Sequence, residues 1–222
     1  SAFMLVFTVI VVMAVNPSAG RITDDDEKTV RTGTEDGQNQ PFGKGVGINP
    51  GRVVWVWDPS ATNEKAVNAF YLHKAENTDQ KAASRMFSDG IKQLNGKKNL
   101  KKSWDALFRD FNKRKRGEDK GYTKGEKIFI KINQGTANGK LRPDDIRNGF
   151  YIPQRMTDSE RAKQGLEGTC ETYPNMALEL LRQLVNEAGV AQKDISIGDP
   201  ISHIFGHNYD IWHSEFPDVI YV

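Results

Sequence analysis

A lysine and an asparagine stand two residues apart at the end of an apolar run, "GEKIFIKINQ", residues 125–134. Period-2 alternation puts Ile128, Ile130 and Ile132 on one face of a predicted strand, and Phe129, Lys131 and Asn133 on the other. A charge is costly to bury unless it is paired, so Lys131 needs an explanation. Three are open. It discourages pairing at a sheet edge, it forms an ion pair with Asp58 or Asp199, or it holds an anionic group such as a carboxylate or phosphate. Two further predicted strands also finish in polar residues. "RVVWVWD" ends at Asp58, with Thr62 and Asn63 just beyond it, and "DISIGDP" ends at Asp199. Each aspartate precedes a proline, which equally suits turn-making. With an anion on Lys131 and Asn133 orienting it, Asp58 or Asp199 would serve as a base or a metal ligand.

A second constellation is "GDPISHIFGHNYDIWHSEF", which holds His203, His207 and His213 beside Asp199, Asp210 and Glu215. On a helix, His203 and His207 at i, i+4 share a face and could reach one divalent metal with Asp199. Gly206 interrupts that helix and no H-E-x-x-H motif is present. Aromatic packing with partly exposed histidines is the competing account.

The elements that must position these groups follow from hydrophobic spacing. Apolar residues at helical intervals predict helices over 79–94, 99–113 and 173–188, with Gly96, Gly117 and Gly189 as stops. Strands are predicted at 52–58, at "IFIKIN", at "DISIG" and at "DVIYV", with a short helix in "HNYDIWHSEF". The order β-αα-β-loop-α-β-α-β predicts an α/β domain over 52–222, its mostly parallel sheet covered by helices. In such sheets ligands bind outside the carboxyl ends of the strands. Trp55 and Trp57 alternate with valine and are expected in or over the core. The final strand runs to the chain end without a polar tail, as in a domain truncated at its C-terminus.

Ahead of this domain, "AFMLVFTVIVVMAV" is a 14-residue apolar run broken by one threonine. It is short of the roughly 20 residues of a membrane-spanning helix. With small residues following, it suits the apolar part of a signal peptide. Residues 1–20 are therefore expected to direct export to the periplasm or cell envelope, with membrane contact only if this segment is uncleaved. Residues 21–51, poor in large apolar residues, suit a flexible linker.

The totals exclude several classes. Thirty-one basic and 29 acidic residues leave a formal +2, far from the strongly basic balance of a nucleic-acid binder. "KKNLKKSW" and "KRKRGEDK" suit solvated faces beside their acidic neighbours. "GKGVG" at 43–47 lacks the phosphate-loop pattern. Cys170 is the single cysteine, so neither an internal disulfide nor an all-cysteine iron–sulfur or zinc site is available, and no sequence neighbour plainly activates it.

"GEKIFIKIN" followed by "TYPNMALELLRQLVNEAGVAQKDISIGDP" resembles the Domain of Unknown Function 362 family, most closely its exported, Bacteroidetes-type members. The resemblance spans about 52–222 and lies in the order and spacing of motifs. It implies recurrent polar positions at Asp58, Lys131, Asn133, Thr172 and Asp199, with Thr172 joining Asn133 in orienting a ligand. Many members carry ferredoxin-like cysteine modules, which a single cysteine does not supply here. A distant similarity to the lactate racemase N-terminal region points to small acids as ligands.

Overall fold

The computed structural model describes residues 44–65, 74–134, 146–147, 150–151 and 172–222. The apolar segment 1–20, most of the linker and Cys170 lie outside the described residues.

Two amphipathic helices come first. α1 (Gln80–Asn95) is capped by Asp79, whose carboxylate accepts from the N–H groups of Lys81 and Ala82, and ends at Gly96 with φ 71°. α2 (Leu100–Arg116) is capped by Asn99 and ends at Gly117 with φ 73°. Four basic residues fill the last turn of α2, where the helix dipole favours cations. Arg114 pairs with Asp110 and Arg116 with Glu126.

β1 (Ile128–Lys131) follows, then a short antiparallel pair, β2 (Ile146–Arg147) and β3 (Phe150–Tyr151). α3 (Pro174–Arg182) starts with proline in its first turn. Its last turn, Gln183–Glu187, is wound as a π-helix, with the Ala188 N–H donating to the Gln183 carbonyl at 2.9 Å. β4 (Ile195–Gly198), α4 (Gly206–His213) and β5 (Ile220–Tyr221) complete the described chain.

Helices thus accompany a three-stranded parallel sheet of order β1-β4-β5, a small α/β arrangement. Ile128 and Ile130 stand beside Ile195 and Ile197, so all four share one face. That face joins Phe87 and Ile91 of α1, Trp104 and Phe108 of α2, and Leu181 of α3 in one buried core. Trp104 is fully buried and donates its indole N–H to Gln183 at 2.9 Å, while the Gln183 amide reaches Ser88. The π turn so ties α3 to both α1 and α2. The opposite sheet face carries half-buried Phe129 and exposed Lys131 and Ile220.

The expected strand at 52–58 is not part of this sheet. Residues 49–61 instead run along α1. Asn49 bonds the Leu94 carbonyl, Arg52 the Gln93 carbonyl, and Asp58 pairs with Arg85. Val56 packs on Ala61, Ala82 and Met86 in a satellite cluster. Val53, Trp55 and Trp57, expected in or over the core, are 89%, 66% and 59% exposed. Val54 and Val56 are half-buried, Val56 against α1, and the larger tryptophans take the outer side of the alternation.

Candidate functional site

The carboxyl ends of β1 and β4 are held by a polar clasp. The alternation that turns Ile128, Ile130 and Ile132 inward also turns Gln134 inward, where it is fully buried. Its backbone N–H donates to Asp199 Oδ2 at 2.7 Å, and Asp199 Oδ1 accepts from the Ile201 N–H at 3.1 Å. Asp199, 6% exposed, spends both oxygens on backbone donors, as buried polar groups must. The Gln134 side chain accepts from the Phe205 N–H and from Asn208, and donates to the Asn133 carbonyl. The start of α4 is thereby fixed to the end of β1.

On the outer edge of β1, Thr172 meets Asn133 twice. The Asn133 N–H donates to Thr172 Oγ1 and the Thr172 N–H to the Asn133 carbonyl, both at 2.8 Å. Asn133, Thr172 and Asp199 are therefore assembled at one sheet end, with the first turns of α3 and α4 beside them. Lys131 lies one step back on the open face, exposed and with no ion pair among the described residues.

Asp58 belongs elsewhere. Its Oδ1 accepts from the Ser60 N–H at 2.9 Å and the Ser60 hydroxyl at 2.6 Å, and its Oδ2 from Arg85 at 3.2 Å. The Ser60 hydrogen bonds, with Arg85 second, hold this carboxyl below the usual aspartate value. The expected ion pair of Lys131 with Asp58 or Asp199 is thus not formed: Asp58 serves a turn and Arg85, and Asp199 serves two N–H groups. Asn63 bonds Asn77 through side chain and backbone. Thr62 then bridges to Thr78, whose hydroxyl hydrogen-bonds the Tyr173 phenol. Burial pushes that phenol's ionisation up. A polar line therefore runs from Asn63 to Tyr173, next in the chain to Thr172.

The expected metal set does not assemble. α4 begins at Gly206, so His203 lies before the helix and shares no helix face with His207. The His207 ring stacks on Phe205 at 5.5 Å, and the His213 ring on Tyr209 at 4.8 Å. Both Asp199 oxygens face N–H donors. Among the described residues no three His, Cys, Asp or Glu side chains gather as a metal requires.

No family model, curated protein or solved structure matches the chain. Its chemistry must be read from its own side chains.

Sequence reasoning missed a second buried polar group between α1, α3 and the loop after α4. Glu179, 2% exposed, accepts from Gln80 and Arg182, both at 2.6 Å. Arg182 also grips Glu215 with two nitrogens, and these bonds, Glu215 first, raise its already high pKa further. Gln80 receives the Asn175 amide. Polar residues on the inner side of an amphipathic pattern, here Asn175 beside Met176 and Glu179 between two leucines, are the signal that could have found it. No helix among the described residues is long and apolar enough to cross a membrane.

Proposed function

We propose that this is an exported α/β protein that binds a small anionic ligand at the carboxyl ends of its parallel strands. The observation that carries this reading is Lys131, an exposed lysine with no ion pair among the described residues, at the end of a core strand and two residues from exposed Asn133. Lys131 supplies the charge, and Asn133 and Thr172 orient the ligand. The first turns of α3 and α4 add their partial positive ends. Asp199 acts by fixing β1 to β4 rather than as a base. The apolar run in residues 2–15 supports export. The resemblance to the Domain of Unknown Function 362 family rests on the residues quoted above and supports a larger α/β domain of which this sheet is a part.

Replacing Lys131 with Met tests the reading. Wild-type protein is expected to gain thermal stability with inorganic phosphate or small carboxylates such as lactate. The variant should lose that gain while its own unfolding changes by less than about 0.5 kcal/mol. A wild type indifferent to every such anion, or a variant that unfolds much earlier, would overturn it.

A further inference from the structure

Residues 53–57 carry a strand's alternation but join no sheet among the described residues. Exposure alternates along them with period two, Val53, Trp55 and Trp57 outward and Val54 and Val56 inward. None of their backbone N–H or C=O groups is hydrogen-bonded to another described residue. The stretch is nevertheless held in place, by Asn49 and Arg52 on carbonyls of α1, by Val56 in the satellite cluster, and by Asp58 on Arg85. Pro50 and Pro59 bound it, and proline lacks the donor needed to continue a ladder. An anchored, apolar edge with unsatisfied backbone groups is a template for strand pairing.

We propose that this edge joins two copies of the chain, as an antiparallel pair of strands about a two-fold axis at Trp55. Charge complementarity selects both the occupant and the register. With the axis at Trp55, Arg52 faces Asp58 of the partner subunit and Asp58 faces Arg52 of the partner subunit. Val53 lies opposite Trp57 of the partner subunit, an aromatic and β-branched pairing favoured across strands. Moving the axis to residue 54 or 56 sets both charged residues against uncharged ones. The contact is self-complementary, as a two-fold interface requires, and closes on itself. It is independent of the proposed anion site.

Sedimentation velocity on the 222-residue chain tests this. Wild type is expected to be a dimer at micromolar concentration. A residue on the axis meets its own copy, so Trp55→Arg alone and Trp55→Glu alone should each dimerise more than about tenfold more weakly. An equimolar mixture of the two should recover the dimer. Near-ultraviolet circular dichroism from buried Trp104 and Trp212 reports whether the fold is kept. If Trp55→Arg loses that signal, Val53→Lys, at the most exposed position, takes its place with the same expectation. A wild type that stays monomeric overturns the proposal, including one whose 53–57 segment pairs with the open edge of its own β1. So does a folded variant that dimerises alone as well as wild type.

Discussion

"RVVWVWD" and "IFIKIN" are nearly the same word in the language of strand patterns, yet they end in opposite places. Both alternate apolar residues and both finish in a polar pair or charge. The second lies at the sheet edge beside β4, with its isoleucines among the most buried residues. The first lies on α1 with its largest side chains outward. Each segment turns branched aliphatic residues inward on alternate positions. In β1 these are the large half, Ile128, Ile130 and Ile132, and they meet a core of comparable bulk. In 52–58 the inward residues are only Val54 and Val56, both half-buried, with Val53 turned outward; Val56 packs on α1, but the segment is not drawn into the core. Alternation specifies an extended chain with two faces; the partner that each face meets decides burial.

The largest expected effect should break the comparison most visibly. Ile197→Ala, at a fully buried site between two strands, is expected to cost about 2–5 kcal/mol in denaturant unfolding. A cost under 1 kcal/mol would mean that the sheet is not the core. Next, Asp199→Ala leaves the Gln134 and Ile201 N–H groups without their acceptor. A loss of about 1–3 kcal/mol per buried donor is expected, with hydrogen exchange at Gln134 accelerating first.

A smaller effect appears in acid. The Asp58 carboxyl is depressed by Ser60 and then Arg85, and the Asp194 carboxyl chiefly by its hydrogen bond to Lys127 at the foot of β1. A carboxylate with a folded-state pKa below the unfolded value, about 3.9 for aspartate, stabilises above that value. Its contribution fades as pH falls through the lower folded-state value. Unfolding midpoints measured from pH 5 downward should therefore drop for wild type, and less steeply for Asp194→Asn. Asp58→Asn should flatten the profile less, because its segment is pinned only to α1. The smallest expected effect is Trp57→Ala, within about 0.5 kcal/mol for the isolated chain. A core-sized loss there would place the segment in a sheet after all.

Much of the fold was legible. The helical spacing over 79–94 and 99–113, the glycine stops and the runs at 128–133 and 195–198 are local signals, and local chemistry fixed them. The site was legible only in part. Asn133, Thr172 and Asp199 do gather, but the clasp joining Asp199 to Gln134 crosses 65 residues, beyond the reach of any periodicity. Gln134 escaped notice because an amide after an apolar run suggests the strand's exit, although its alternation parity pointed inward. Asp58 separated from the others because its turn and Arg85 satisfied it locally. The pairing of His203 with His207 assumed that a helix already contained both, and Gly206 starts that helix too late.

The π turn at the end of α3 has a consequence for chain length. Winding five residues where an α-helical turn closes over four gives this connection one spare residue, stored between Gln183, which must reach Trp104 and Ser88, and the strand that must begin at Ile195. Exposed Asn186 lies in that turn. Loss of one residue there would let the helix tighten to ordinary winding while both fixed ends keep their places, so the joint between helix and sheet can absorb a deletion.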